Sequence, residues 1–439
     1  MFRGVHPGKM SPLIVLVAIN ILNFYDRYVL GALAEPIRRE FQLNDTQIGL
    51  LGSIFIWLYA IVGIPLGRLA DRRSRKILLA CGIVVWSALT GIAAFASSYL
   101  ILLISRLGFA VGEAVVAPAA TSWIGDLFPA QQRSRALALF MLGVPVGGAM
   151  TYFFSGPIAE AFGWRVAMVI AAAPAVVLIP LLLRLREPRR GAADNQHSGS
   201  AATLSTTAML RIPTLWWIIA SGATLNFNMY ALGLFMPAFL SRIHHVSLAA
   251  SGIGTGITYA IGGIAGSLFA GWLGDRVTHH KQNARLLWAA GFSLAGAPMA
   301  YLGILAGDVR TSVVLITVFY GSLCAYYGFV YAAIQDIVPP GMRAAAMAFY
   351  FMAMYLCGAS FGPILTGRMS DMMAQRAAAA AGSATVTEAF RAVGLQQAML
   401  IMPVLSVVLA AVLFMGSRSI TADIANRAML AGRAQPATS

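Results

Sequence analysis

The sequence has little charge and few cysteines. Only 11% of its 439 residues are charged, whereas an ordinary soluble domain has about 25%. Its 3 cysteines, Cys81, Cys324 and Cys357, all lie in apolar stretches, which leaves no disulfide, redox or zinc framework. No G-x-x-x-x-G-K-[ST] loop occurs, which argues against an ATP-driven pump. These shortages exclude a water-soluble globular enzyme and a disulfide scaffold.

Long apolar runs take up most of the chain. Hydrophobic residues make up 59% of it, and its mean hydropathy is +0.76. A helix that crosses the hydrocarbon core of a bilayer needs about 20 apolar residues. That length predicts an all-α integral membrane protein with twelve transmembrane helices, near residues 12–33, 47–69, 77–95, 99–125, 136–156, 165–183, 214–240, 249–273, 285–306, 311–335, 344–367 and 393–415.

The formal net charge is +15, and its distribution decides what it means. In a soluble chain such an excess indicates nucleic-acid binding, whereas in a membrane protein basic residues collect on the cytoplasmic side. If both termini are cytoplasmic, most of the 31 basic residues fall inside. We therefore expect cytoplasmic termini, several passes through a plasma membrane, and no nucleic-acid partner. The preference for arginine over lysine and the short tails favour a bacterial inner membrane.

The two halves of the chain resemble each other. Asp126 is followed by Pro, Arg and Ala at +3, +7 and +10, and Asp336 is followed by the same residues at the same offsets. Gly-x-x-x-Asp-Arg motifs around Asp71 and Asp275 form a second matching pair. A small, polar stretch between spans 6 and 7 is typical of a flexible linker. The pattern predicts an N-terminal six-helix bundle (1–183), a cytoplasmic linker (184–212), a C-terminal six-helix bundle (213–418) and a cytoplasmic tail (419–439).

Three motifs are similar to those of a known transporter family. The stretch GRLADRRSRK, from Gly67 to Lys76, resembles the signature of the major facilitator superfamily, a resemblance that extends over nearly the whole chain. NFYDRYVLG (Asn23 to Gly31) and SRLGFAVGEAVVAPAATSWIGDLFPAQQRSRALA (Ser105 to Ala138) resemble its spinster branch of sphingolipid and lysophospholipid transporters. The resemblance implies a secondary transporter, not an enzyme, with two pseudo-symmetric six-helix bundles. It also implies alternating access around a binding site near the membrane midplane.

Four charged residues fall inside predicted spans: Asp26, Arg27, Arg106 and Glu113. A charge at the bilayer centre costs at least about 2.5–3.5 kcal/mol, so each one is a functional hypothesis. Arg106 and Glu113 are two turns apart on one face of span 4. The spinster resemblance implies that acids here carry protons, so we expect Asp26 and Glu113 to bind the coupling proton and the two arginines to tune them. The alternatives are a permanent ion-pair lattice, or arginines that hold a substrate phosphate.

Loop motifs after spans 2 and 4, and their counterparts in the second half, predict a cytoplasmic gate. In the family fold their acids and arginines lie near each other, where charge pairs would latch the cytoplasmic side. Positive-inside topology is the alternative, but it does not account for Gly67 or Asp71. We expect a weaker latch in the second half because RVTHHK lacks the dense arginines. The predicted gate residues are Gly67, Asp71, Arg72, Arg75, Asp126, Arg133, Asp275, Asp336 and Arg343.

Polar and aromatic residues within the spans predict a binding cavity. The first half supplies charges, while the second supplies aromatic rings with sparse hydroxyls, a division that suits an amphiphile with a charged head and an apolar tail. Aromatic packing between helices is the alternative for the tyrosines. The predicted substrate-binding residues are Asn23, Arg27, Arg106, Glu113, Asn228, Tyr230, Tyr327 and Tyr355.

The sequence thus predicts a proton-coupled secondary active transporter of a lysophospholipid or a sphingosine-phosphate-like lipid. The first alternative keeps the fold and takes a small organic anion or drug as substrate. A membrane enzyme acting on lipid head groups is less favoured because no paired Ser/His or metal-ligand motif lies in the spans. The gate motifs and buried acids count against a non-transporting sensor. We expect a monomer with no catalytic residue, no metal and no cofactor other than the coupling proton.

Overall fold

The protein is represented by a computed structural model that describes residues 7–189, 192, 209–277, 283–338 and 343–433. Every regular element in these residues is a helix. Within the described residues, twelve stretches are long and apolar enough to cross a membrane, which confirms the predicted number of spans. Spans 1–12 are Met10–Glu40, Asp45–Gly63, Arg75–Ala93, Tyr99–Leu127, Arg135–Phe162, Trp164–Arg184, Pro213–Ile243, Leu248–Leu273, Ala284–Leu305, Val309–Ile337, Ala345–Ala380 and Glu388–Asn426. Most of the predicted linker lies outside the described residues.

Several spans in the first half consist of two helices in succession. In span 4 the break falls directly after Glu113, because Pro118 lacks the amide hydrogen that would continue the ladder to residue 114. Span 2 begins with a capping box, in which Asn44 and Gln47 exchange backbone and side-chain hydrogen bonds. The helices here are Pro7–Glu40, Asp45–Arg72, Arg75–Ala93, Tyr99–Glu113, Val116–Leu127, Ala130–Met141, Gly143–Phe162, Trp164–Ala172 and Ala175–Arg184.

The described part of the second half contains two π-helical segments, Thr258–Gly262 in span 8 and Tyr355–Ala359 in span 11. Segments of this kind are rare and are often found at functional sites. The α-helices here are Pro213–Ile243, Leu248–Ile257, Gly263–Val277, Ala284–Leu305, Val309–Ile337, Arg343–Met354, Phe361–Ala380, Glu388–Met399 and Ile401–Arg433.

The chain forms two compact units. Unit 1 comprises Met1–Gly199 and Gly233–Gly256, and unit 2 comprises Ser200–Leu232 and Ile257–Ser439. The end of span 7 and the start of span 8 therefore pack with the first six spans. The bundle boundaries predicted at residues 183 and 213 remain a prediction.

Glycines bring spans 3 and 4 into close contact beside Glu113. A Cβ atom added at Gly112 would lie 2.8 Å from the Trp86 backbone nitrogen and 3.0 Å from its Cβ. One added at Gly82 would lie 2.7 Å from the Gly112 carbonyl oxygen. The distances of 2.7 and 2.8 Å are shorter than real Cβ contacts, so only glycine allows this approach. The packing places the Trp86 side chain next to the charged residues of spans 1 and 4.

Candidate functional site

A buried carboxylate of span 1 is held by a tryptophan of span 3. Asp26 and Trp86 are both completely buried. The Trp86 indole Nε1 donates a hydrogen bond of 3.0 Å to Asp26 Oδ2. Asp26 Oδ1 has no hydrogen-bond partner among the described residues, so this carboxylate keeps one oxygen available for a proton.

A second buried carboxylate, Glu113 of span 4, pairs with Arg27 of span 1. The Arg27 Nε and Nη2 atoms donate to Glu113 Oε2 at 3.0 and 2.8 Å. The Arg27 guanidinium also lies over the rings of Phe24, Tyr59 and Phe55, at 4.6, 4.8 and 5.2 Å from their centroids. Cation–π attraction in such a desolvated setting is worth about 2 kcal/mol or more. The pair and the rings together fix this guanidinium inside the unit.

Arg106 completes the group of buried charges. It is 8% exposed, and its guanidinium lies 5.1 Å from the centre of the Phe109 ring. Its Nη2 atom has no hydrogen-bond partner among the described residues, although the guanidinium interacts electrostatically with Asp26 and Glu113. The structure therefore brings the four predicted charges together in unit 1. We call these four residues, with Trp86, the charged cluster.

The charged cluster has the chemistry needed to exchange a proton. It holds two carboxylates and two guanidiniums away from water, and each carboxylate has one oxygen without a hydrogen bond among the described residues. Burial disfavours the ionised acid, while a neighbouring guanidinium favours it. A change in the distance to Arg27 or Arg106 would therefore change proton affinity. A fixed ion-pair lattice uses the same contacts but needs no such change.

Arg75, a predicted gate residue after span 2, is completely buried in an ion-pair cluster. Its guanidinium pairs with Asp126, donates to Glu187 Oε1 at 3.0 Å and donates to the Pro188 carbonyl oxygen at 3.0 Å. The pairing with Asp126 joins two predicted gate residues. Sequence analysis missed Glu187, whose only signal was an acid within the basic stretch RLREPRR. We call Arg75, Asp126 and Glu187 the Arg75 cluster.

Glu187 also caps the start of span 3. Its carboxylate accepts hydrogen bonds from Ser74 Oγ at 2.5 Å and from the backbone N–H of Arg75 at 2.9 Å. Burial raises the pKa of the Glu187 carboxyl, but the hydrogen bonds from Ser74 and Arg75 outweigh burial, so its pKa lies below the ordinary value. The segment that follows span 6 is thereby attached to the predicted gate motif.

The remaining predicted gate residues are placed as follows. Asp336 pairs with Arg285, which is not among the predicted gate residues. Arg133 Nη2 donates to the Gly125 carbonyl oxygen at 2.9 Å, Arg72 is exposed, and Gly67 would meet Pro118 at 3.9 Å if it carried a Cβ. The side chains of three further gate residues lie outside the described part of the structure: Asp71, Asp275 and Arg343.

A second buried ion-pair cluster in unit 1 was not predicted. Arg242, at the end of span 7, binds both oxygens of Asp45 at 2.9 Å and Glu35 Oε2 at 2.9 Å. Glu35 also accepts a hydrogen bond of 2.8 Å from Arg38. All four side chains are almost completely buried. The sequence places them at span ends, where exposed charges are usual, so nothing in it indicated burial. We call them the Arg242 cluster.

Unit 2 contains a group of uncharged polar side chains. The Tyr326 hydroxyl lies 2.7 Å from Ser221 Oγ and 3.1 Å from the Tyr350 hydroxyl, and all three residues are buried. The Tyr327 hydroxyl donates to Asn226 Oδ1 at 3.4 Å. We call Tyr326, Tyr327 and Tyr350, with Tyr331, whose ring packs against those of Tyr327 and Tyr350, the tyrosine cluster.

The other predicted substrate residues make the following contacts within their own units. The rings of Tyr230 and Tyr355 lie 6.1 Å apart in an edge-on arrangement. Asn228 faces span 12, where its Nδ2 donates to the Met402 carbonyl oxygen at 3.3 Å and to Ser406 Oγ at 3.2 Å. Asn23 is 2% exposed, and its Nδ2 has no hydrogen-bond partner among the described residues. Within the described ranges, no group of three or more His, Cys, Asp or Glu side chains could hold a metal ion.

Comparison with known proteins supplies the family. The family model described as the Major Facilitator Superfamily matches residues 16–363. An MFS-type efflux pump of Mycolicibacterium smegmatis is 31% identical over 82% of this chain and 84% of its own length. Protein spinster homolog 1 of Homo sapiens is 29% identical over 84% of this chain and 75% of its own length.

Two solved structures are also similar to this chain. A bacterial homolog of the human lysosomal transporter Spinster, crystallised in an inward-facing, unoccupied conformation, is 29% identical to this chain. It superposes with a TM-score of 0.87 over 96% of this chain and 99% of that chain. A D-xylose–proton symporter has the same fold, with a TM-score of 0.73 and 16% identity over 92% of this chain and 97% of that chain.

The fold and these similarities show that the protein is a multi-pass membrane transporter rather than an enzyme. The chain belongs to the major facilitator superfamily, and within it resembles the spinster branch. Its twelve spans are consistent with a plasma membrane location.

Proposed function

We propose that the protein is a proton-coupled carrier of a lysophospholipid or a sphingosine-phosphate-like lipid that works by alternating access. The observation that carries the coupling is the charged cluster, in which Asp26 and Glu113 are buried beside two arginines. A proton on Glu113 would weaken its attraction to Arg27, so that this guanidinium could bind an anionic head group more strongly. Proton binding and substrate binding would then be linked through one side chain.

The substrate class follows from the chemistry of the two units. Arg27 and Arg106 offer guanidiniums, which suit a phosphate through paired N–H donors. Unit 2 offers aromatic side chains, including Tyr230, Tyr327 and Tyr355, which suit an acyl chain. The resemblance of the sequence motifs to the spinster branch implies a lipid of this kind, and the chain is similar to spinster proteins over most of its length. Asn23, in the span that carries Arg27, is proposed as a polar contact to the head group.

The proposed orientation has both termini in the cytoplasm of a bacterial cell, with the protein as a monomer in the inner membrane. The Arg75 cluster would then lie on the cytoplasmic side and act, with Arg285 and Asp336, as the inner gate. The Arg242 cluster would lie on the opposite side. A carrier that opens alternately to each side has to break charge pairs at one end while it forms them at the other.

A second candidate function keeps the fold and the coupling but takes a small organic anion or drug as substrate. The similarity to an MFS-type efflux pump favours it, because that relative is 31% identical over most of the chain. Competition by a soluble anion or drug, without competition by a lysophospholipid, would decide for this alternative.

The test is uptake of a radiolabelled lysophospholipid into proteoliposomes, with an imposed pH gradient and without one. If one proton moves with each lipid, a gradient of one pH unit can support about tenfold accumulation. Protein-free vesicles give the background, and an ionophore that collapses the gradient gives the control. Uptake that ignores the gradient would contradict the coupling, and no uptake by correctly inserted protein would contradict the lipid.

A further inference from the structure

Among the described residues, Trp86 is the one whose side chain hydrogen-bonds to Asp26. Indole Nε1–H is a donor and cannot accept. It therefore makes its strongest hydrogen bond to the ionised carboxylate and a weaker one to the neutral acid. A donor of this kind favours the charged form of the acid that it contacts.

The position of the indole is fixed by the packing of spans 3 and 4. Gly112 has no room for a side chain, since a Cβ there would lie 2.8 Å from the Trp86 backbone nitrogen. Thr90 Oγ1 donates to the Trp86 carbonyl oxygen at 3.0 Å one turn further along span 3. The indole is itself completely buried. The indole is therefore a rigidly held donor on span 3, and it contacts Asp26 on span 1.

Other charged and titratable groups around Asp26 come from two helices. Span 4 supplies Arg106 and Glu113, which interact electrostatically with Asp26. On span 1, Arg27 pairs with Glu113, and the Tyr25 hydroxyl lies 2.9 Å from Ser155 Oγ of span 5. These groups stay in place when the indole nitrogen is removed, so its contribution can be separated from theirs.

We propose that Trp86 is a positioning residue of the proton site, which stabilises ionised Asp26 and thereby sets the pH range in which Asp26 takes up and releases its proton. The proposal rests on the proposed function, because it assigns Trp86 a role through the coupling acid. It adds span 3 to a site otherwise made from spans 1 and 4. Nothing about an apolar tryptophan in an apolar span indicated this role from the sequence.

The test compares Trp86→Phe with Trp123→Phe. Both tryptophans are completely buried in unit 1, and Trp123 Nε1 has no hydrogen-bond partner among the described residues. Both substitutions shrink an aromatic side chain by the same atoms, but only the first removes a hydrogen bond. The readout is an infrared titration of purified protein in detergent, which follows the carboxylic-acid band that is absent from Asp26→Asn.

We expect the titration midpoint of that band in Trp86→Phe to move to higher pH by about 1–2 units, while Trp123→Phe stays at the wild-type midpoint. Equal midpoints in all three proteins would overturn the proposal. If Trp86→Phe does not fold, 3-benzothienylalanine at position 86 keeps the bicyclic shape and replaces the N–H by sulfur, and the same shift is expected.

The result can be separated from the proposed function because the titration requires no transport. A midpoint shift in Trp86→Phe, together with gradient-driven uptake that survives Asp26→Asn, would keep the hydrogen bond but contradict Asp26 as proton carrier. An unchanged midpoint, together with uptake that fails in Asp26→Asn, would keep the carrier and remove Trp86 from its control.

Discussion

The two units solve the problem of polar groups inside a membrane protein in different ways. Unit 1 buries two acids and two arginines together, and each acid keeps an unbonded oxygen among the described residues. Unit 2 buries tyrosine, serine and asparagine side chains that are uncharged at neutral pH, and some of them hydrogen-bond to one another, as Tyr326 and Ser221 do. Groups that change charge are thus concentrated in one unit of a repeated fold. The comparison indicates that symmetry of fold does not require symmetry of chemistry.

The largest effect is expected from Glu113→Gln, which removes the proton exchange but keeps an acceptor for Arg27. Gradient-driven uptake should fall to about the level seen without a gradient, because the amide cannot take up and release a proton near neutral pH. Exchange of labelled for unlabelled substrate without a gradient should remain measurable. Glu388→Gln, a change at an exposed acid of unit 2, is the control and should retain the gradient response. A full gradient response in Glu113→Gln would remove this residue from the mechanism.

A smaller effect is expected when ion pairs of the predicted gate are removed, and it should differ between the two halves of the chain. Arg75 is 1% exposed between Asp126 and Glu187, while Arg285 and Asp336 are 18% and 38% exposed. Removing one partner of a buried ion pair costs about 3–5 kcal/mol, whereas a partly exposed pair is worth about 1 kcal/mol or less. Arg75→Ala should therefore lower the apparent Tm in detergent much more than Arg285→Ala does.

Arg310→Ala, at an exposed arginine, sets the baseline for these melting experiments. Equal losses for Arg75→Ala and Arg285→Ala would mean that burial of the first pair contributes nothing to stability. The difference between the two halves would then be limited to the charged cluster.

The smallest effect is expected from Tyr327→Phe in the tyrosine cluster. The change removes one hydrogen bond of 3.4 Å to Asn226, worth about 1 kcal/mol. Apparent substrate affinity, measured by concentration-dependent uptake, should fall by no more than about fivefold, and the ratio of uptake with a gradient to uptake without one should not change. A lost gradient response would show that unit 2 also takes part in coupling.

The sequence predicted the number of spans and the charged residues that fall inside them, because each of these features depends on one helix alone. Twelve apolar runs mark twelve spans, and the spacing of Arg106 and Glu113 places them on one face of span 4. Pairing between helices was harder, since it depends on how each helix is rotated against its neighbour. The spacing within span 4 says nothing about its neighbours, and the direct hydrogen bonds to Glu113 come from Arg27 of span 1.

Three contributions were missed for related physical reasons. Trp86 looks like any packing residue in an apolar span until its indole nitrogen is seen against Asp26. Glu187 and Arg242 lie near span ends, where a charge is normally solvated, and only the fold reveals their buried partners. For Asn228, the fold adds a contact with span 12 that the sequence did not indicate, and its predicted role in substrate binding stays a prediction.

The central claim is that the response to protons resides in the buried carboxylates of unit 1. The most direct measurement is the ratio of lysophospholipid uptake with a pH gradient to uptake without one, taken for wild type, Glu113→Gln and Tyr327→Phe in matched proteoliposomes. We expect a ratio well above one for wild type and Tyr327→Phe, and a ratio of about one for Glu113→Gln. A wild-type ratio in Glu113→Gln, with the response lost in Tyr327→Phe, would contradict it.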